Sequence, residues 1–258
     1  MAELDRLDQV QQRRFLRRLE YSGIHSASFN GRSIINFASN DYLGLGEEER
    51  VREAAKLAVE RYSSSASSSR LISGNYALLE ELEEALAAFK EKEAALVFSS
   101  GYLANLGLIP AVAEAEDQIF SDSLNHASII DGCRLSRAAT YVFRHRDLDH
   151  LETILLNVPR ARRRLIVTDA VFSMDGDIAD LPGLAYLAER YECLLMVDEA
   201  HSTGVLGTGG RGIRQHFIDL GLLPADQDCI DLDMGTLSKA LAAQGGFVAC
   251  SAQMREFL

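Results

Sequence analysis

Cys193-Leu194-Leu195-Met196-Val197-Asp198-Glu199-Ala200-His201 is the stretch on which the reading of the fold turns. An unbroken apolar run ending in a carboxylate fits a strand buried on both faces, the habit of parallel sheets covered by helices. A second such run, Cys229-Ile230-Asp231-Leu232-Asp233-Met234, leads into Thr236-Leu237-Ser238-Lys239-Ala240-Leu241. The strand candidates are Ala94–Ser99, Gln118–Ser121, Thr140–Phe143, Leu165–Ala170, Cys193–Asp198, Ile230–Gly235 and Gly246–Cys250. Segments of helical character or length separate most of them. Repeated strand–helix units of this kind predict one large α/β domain, with a mostly parallel seven-stranded sheet and helices on both faces. Ligands of such sheets bind beyond the carboxyl ends of the strands, which is where Asp198 and the Thr236–Lys239 segment fall.

The flanks are less regular. The first twenty residues read as a charged amphipathic helix, followed by a turn at Asn30–Ser33 and a short strand at Ile34–Phe37. Residues 47–62 have a helical pattern, and Tyr62 to Ser69 is serine-rich and reads as a loop. Leu78, Leu82, Leu86 and Phe89 recur at helical spacing. The expected division is an N-terminal segment over 1–45 and a large domain over 46–258.

Composition narrows the function. The chain has 258 residues, 47% of them hydrophobic and 25% charged, enough for a sizeable core. A net charge of −12 disfavours a nucleic-acid partner, because no basic excess exists to neutralise phosphates. The clusters Arg13-Arg14/Arg17-Arg18 and Arg160 to Arg164 read as a solvated helix face and a turn before a strand. Cys133, Cys193, Cys229 and Cys250 lack any CxxC spacing, so no metal is expected, and they read as small buried hydrophobes in a reducing compartment. No apolar signal-peptide core and no membrane-length apolar run occur, which predicts a cytoplasmic protein without a membrane partner.

Three chemistry-bearing residues remain: Lys239, Asp198 and His201. Singly, each has an ordinary reading, as a solvated amine, a turn or cap carboxylate, and a loop histidine. Together, each at a strand end, they are equipment for holding an aromatic aldehyde as a Schiff base and keeping its ring nitrogen protonated. Ser99-Ser100-Gly101-Tyr102 follows a strand and opens a helix, whose free amides make an anion site. The Thr236 and Ser238 hydroxyls would add contacts there. No Gly-x-Gly-x-x-Gly opens the first strand–helix unit, which weakens a nicotinamide reading.

These segments, in order along nearly the whole chain, resemble the α-oxoamine synthases, a family of fold type I enzymes dependent on pyridoxal 5'-phosphate. The matching stretches are Asn40–Leu45, Ser69–Tyr76, Phe98–Asn105, Leu124–Gly132, Phe172–Asp177, Asp198–Gly204 and Thr236–Ala240. Asn125 to Arg137 and Thr236 to Val248 are most similar to family members that condense L-alanine with a pimeloyl thioester, with loss of carbon dioxide, to give 8-amino-7-oxononanoate for biotin. The resemblance implies that Lys239 holds the cofactor and takes the Cα proton, and that Asp198 pairs with the ring nitrogen. It implies that His201 bonds the phenolic oxygen, that His126 stacks on the ring, and that Ser100, Gly101, Tyr102, Ser173, Thr236 and Ser238 line the cofactor. Asn40 and Tyr42 would face the substrate channel. The thioester carrier would be coenzyme A or acyl carrier protein, and the assembly a homodimer.

Two alternatives stand beside this. One is a glycine-using sister acyltransferase, of the 2-amino-3-ketobutyrate ligase or 5-aminolevulinate synthase type. The other is a truncated, non-catalytic remnant that binds the cofactor, since the family continues into a smaller C-terminal domain that this chain lacks. Two departures from the family involve backbone: serines over 64–69, and Ala242 after the lysine motif, where relatives carry glycine. If a left-handed backbone is needed there, each such residue costs roughly 1–2 kcal/mol.

Overall fold

The computed structural model describes residues 2–21, 23 and 25–258; Met1, Ser22 and Ile24, which fall in the expected N-terminal segment, lie outside the described residues. The chain divides into two compact units, residues 1–39 and residues 40–258. This boundary precedes the expected one after residue 45. Asp41 accepts hydrogen bonds from the amides of Leu45 (3.0 Å) and Gly46 (3.0 Å), so that loop is knotted within the second unit.

In the first unit, α1 spans only Ala2–Gln9. The expected helix over the first twenty residues stops there. Arg13/Arg17 and Arg14/Arg18 would be like-charge pairs four residues apart, which a helix would press together. Strands β1 (Glu20–Tyr21), β2 (Ser26–Phe29) and β3 (Arg32–Ile35) form an antiparallel sheet. Asn30 and Gly31 both have positive φ (50° and 73°), as a two-residue hairpin turn requires. That places β3 two residues earlier than the expected Ile34–Phe37.

The second unit begins with α2 (Glu49–Tyr62) and α3 (Ala77–Lys90). Then strands and helices alternate: β4 (Ala94–Phe98), α4 (Gly101–Val112), β5 (Gln118–Asp122), α5 (Ala127–Ser136), β6 (Ala139–Phe143) and α6 (Leu148–Asn157). They continue through β7 (Arg164–Asp169), α7 (Leu181–Arg190), β8 (Leu194–Asp198), α8 (Ile213–Asp219), β9 (Leu232–Thr236), β10 (Gly246–Cys250) and α9 (Ala252–Phe257). The seven-stranded sheet has the order β4-β10-β9-β8-β7-β5-β6. Only β10 runs against its neighbours. Residues 237–245 hold no helix, and a parallel return needs a longer crossover.

The apolar runs are strands because both faces are covered. On β7, Leu165 and Val167 pack into one core with α4 and α5, whereas Ile166 enters the opposite core with α6 and α7. On β8, Leu195 and Val197 join the second core and Met196 the first, all of them fully buried. Cys193 and Cys229 lie just before β8 and β9, half-buried, and not in the strands where they were expected.

Candidate active site

The carboxyl ends of β4, β5, β7, β8 and β9 open into one cavity of about 220 Å³. The sequence-expected residues Ser100, Gly101, Tyr102, His126, Ser173, Asp198, His201, Thr236, Ser238 and Lys239 all line it. They come from five separate strand ends, and the parallel sheet is what brings them together.

Lys239 follows β9 and is half-buried. Its Nζ lies 2.8 Å from His201 Nε2. Burial pushes this amine below the ordinary lysine range, against the upward pull of Asp198 and Asp169. His201 is pushed down to about 4, by burial and by the neighbouring Lys239 and His126, so its imidazole is neutral. The far nitrogen, Nδ1, lies 2.7 Å from the Tyr42 hydroxyl, which donates to Asn40 Oδ1 at 3.1 Å. The donors then run in one direction. Lys239 donates to Nε2, the Nδ1 proton goes to Tyr42, and the Tyr42 proton goes to Asn40. Asn40 and Tyr42 therefore reach the cavity through His201 and do not line it.

Asp198 ends β8 and is buried. Asn105 Nδ2 donates to its Oδ2 at 2.8 Å, and the Ala200 amide donates to its Oδ1 at 2.9 Å. Beside it, in register on β7, stands Asp169, a site residue that the sequence reading did not single out. Burial and the charge of Asp198 push Asp169 well above the usual carboxylate range. Burial raises Asp198 too, but two N–H donors and the nearby Lys239 favour its charged form. Of the pair, Asp198 has the more donors favouring its charged form. Asp169 instead accepts from the His126 amide at 2.7 Å and fixes the start of α5.

His126 is the N-cap of α5, with Nδ1 accepting from the Ser128 amide at 3.2 Å, and its ring is exposed to the cavity. Ser128 and Asn105 were also missed. Asn105 Nδ2 bridges Ser128 Oγ (2.8 Å) and Asp198. A signal was present for both missed acidic and amide groups. Asp169 ends an apolar run just as Asp198 does, and Asn105 lies one helical turn after Gly101.

The anion cradle is made at the start of α4. Ser100 caps it, accepting from the Leu103 amide at 3.1 Å, and the first helical amides have no partner inside the helix. Thr236 Oγ1 lies 2.9 Å from Ser238 Oγ and donates to the Gly245 carbonyl at 2.9 Å. Glycine is required at Gly246, where a Cβ would sit only 2.6 Å from the Gly101 backbone, and a Cβ on Gly101 would be tight, 3.2 Å from Thr236 Cβ. A buried carboxylate, a desolvated amine and a helix-start anion site around one cavity fit a small aromatic aldehyde bearing a phosphate.

Comparison with known proteins agrees with this geometry. The family described as aminotransferase class I and II matches residues 32–258. The 8-amino-7-oxononanoate synthase of Thermosipho melanesiensis is 46% identical over 256 residues, covering 99% of this chain and 64% of that protein. A solved serine palmitoyltransferase from S. paucimobilis, with bound PLP and myriocin, superposes with a TM-score of 0.89 at 33% identity, covering 99% of this chain and 65% of that one. A solved 8-amino-7-oxononanoate synthase from Francisella tularensis gives a TM-score of 0.70 at 31% identity, covering 87% and 60%. The chain thus spans less than two thirds of the length of each of these three relatives.

Proposed function

The chain belongs to the class I and II aminotransferase family, and from that premise we propose that it serves a pyridoxal 5'-phosphate-dependent acyltransferase. The proposed reaction joins L-alanine to a pimeloyl thioester, releasing thiol and carbon dioxide, to give 8-amino-7-oxononanoate. The observation that carries this reading is the pairing of the Lys239 amine with His201 at 2.8 Å, in the same cavity as the buried Asp198.

Lys239 would hold the cofactor, Asp198 its ring nitrogen, and the α4 start with Ser100, Gly101, Tyr102, Thr236 and Ser238 its phosphate; Ser173 and His126 would flank the ring. When bound, the cofactor supplies an electron sink for bond-breaking at the amino acid's Cα. This chain's own residues do the rest. Lys239, pushed by burial below the ordinary lysine range, is suited to take the Cα proton. His201 is neutral and held by Tyr42, so it accepts and returns a hydrogen bond without competing for that proton. Asp198 is fixed by Asn105 and Ala200, whose N–H groups favour its charged form against the upward push of burial.

A homodimer belongs to the same proposal. It is supported by Leu71 and Ile72, which are 96% and 81% exposed on a helical turn at Arg70–Gly74. A cytoplasmic location is proposed with it; among the described residues no helix is long and apolar enough to cross a membrane. The test is spectroscopic and then kinetic. Purified protein given pyridoxal phosphate should show a yellow band that borohydride bleaches, with the label on Lys239. Turnover should favour L-alanine over glycine across coenzyme A and carrier-protein thioesters. A colourless protein sinks the cofactor assignment, a preference for glycine moves the reaction to the sister acyltransferases, and a yellow protein without turnover leaves cofactor binding alone.

A further inference from the structure

Outside the cavity, His145 is held in an unusual way. It follows β6, and its side chain is 23% exposed. Its Nδ1 lies 3.0 Å from Asp122 Oδ1, and its Nε2 lies 2.8 Å from Asp177 Oδ2. A carboxylate has only acceptor oxygens, so both ring nitrogens must carry protons for both bonds to exist. The geometry therefore calls for a cation. The other charged group facing the ring is Arg146, whose amide donates to Asp122 (2.9 Å) and whose guanidinium donates to Asp177 (3.2 Å). The Phe172 ring stands nearly perpendicular to the imidazole, at 84°, with centroids 4.4 Å apart.

Both carboxylates belong to segments that feed the cavity. Asp122 ends β5 and also accepts from the Leu124 amide at 2.8 Å, in the loop that leads to His126. Asp177 closes the tight turn after β7, where its carbonyl accepts from the Phe172 amide at 3.1 Å and the Gly176 amide donates to the Phe172 carbonyl at 2.7 Å. Ser173 stands on that turn and lines the cavity. We propose that His145 is a positioning residue: as a cation shared between Asp122 and Asp177, it ties the loop carrying His126 to the turn carrying Ser173. This rests on the proposed function only for its consequence, that the two loops close on one cofactor from two sides. Burial alone would push His145 down, but the bonds to Asp122 and Asp177 outweigh it and hold the imidazole above the ordinary histidine value.

The tie is thus complete at and below the ordinary histidine pKa and is lost as pH rises through the elevated one. Two measurements test it. The first needs no cofactor: a proton–carbon NMR titration of the intact chain should show His145 titrating above an ordinary histidine. The amide signals of Ser173 and His126 should move with the same midpoint. If His145 titrates at or below the ordinary value, or those amides stay still, the tie is overturned. The second compares pyridoxal phosphate binding by the wild-type chain with H145Q, and with D177N as an independent variant, across the same pH range. Both should bind roughly 10-fold more weakly at low pH, with the deficit shrinking as pH rises through the His145 midpoint. A deficit that is constant with pH, or absent, overturns the proposal. If the wild-type chain takes up no pyridoxal phosphate at all, the functional reading fails, while the NMR titration still decides the tie.

Discussion

Two lysines stand near β9 and have opposite fates. Lys90, at the end of α3, is fully buried with its Nζ 3.0 Å from both Glu199 and Asp233, and it donates to the Arg211 carbonyl at 2.8 Å. Burial would push it down, but Asp233 and Glu199 outweigh burial and hold it above the ordinary lysine range. Lys239 is less buried yet burial pushes it down, because its contact partner is a neutral imidazole and among the described residues no carboxylate pairs with it directly. Asp198 and Glu199 are adjacent in sequence; one serves the cavity and the other the buried cation. The fate of a buried amine here is decided by what fills its contact shell, since desolvation alone favours the neutral form in both places.

Exchanging those fates should give the largest effects. If the proposed function holds, Lys239→Ala should leave a folded protein whose turnover falls about 10²–10⁴-fold, measured as kcat alongside a melting temperature no lower than that of the wild type. Lys90→Met should do the reverse. It strands two buried carboxylates, and breaking such an arrangement costs about 3–5 kcal/mol, read as a lower urea midpoint. If Lys90→Met melted like wild type, the ionic role of Lys90 would be wrong.

Titration sharpens the contrast. The folded pKa of Lys239 is depressed, so in the window between that value and the ordinary lysine value the unfolded chain binds more protons, and stability rises with pH. The folded pKa of Lys90 is raised, so its contribution is present below the ordinary value and is lost as pH climbs through the raised one. Lys239→Met should remove the rising limb from a plot of urea midpoint against pH while leaving the alkaline fall. An amine-selective acylating reagent should likewise label Lys239 at a lower pH than surface lysines and spare Lys90 in the folded protein. Labelling of both at the same pH would erase the distinction.

The smallest expected effect lies just beyond Lys239. Ala242 has φ of 49°, a left-handed backbone that costs an L-residue roughly 1–2 kcal/mol. Ala242→Gly should therefore raise stability by about 1 kcal/mol, offset in part by the greater freedom of glycine when unfolded. Equal or lower stability would mean that the alanine is not strained.

Much of this was legible beforehand, for physical reasons. Gly246–Cys250 coincides with β10, and the other six main strands lie within two residues of their expected ends, because runs buried on both faces are bounded sharply by polar residues. The glycine-to-alanine departure at residue 242 and the serine run over 64–69 were recognisable as backbone questions, and Ala242 and Ser67 do have positive φ. Periodicity alone could not foresee that the first helix stops at Gln9, because like-charge repulsion between turns is not a hydrophobic signal. Asp169 escaped notice because a strand-end carboxylate carries meaning only once its neighbouring strand is known.

The sequence by itself determined the repeating strand–helix pattern, the strand-end positions of Lys239 and Asp198, and the glycine-opened helix at Ser100, since these depend on local order along the chain. Tertiary structure alone decided strand order, the pairing of Asp169 with Asp198, the line from Lys239 through His201 and Tyr42 to Asn40, and the clamp on His145. Those are contacts between residues distant in sequence, and the energies that matter there depend on burial and on which charges end up as neighbours.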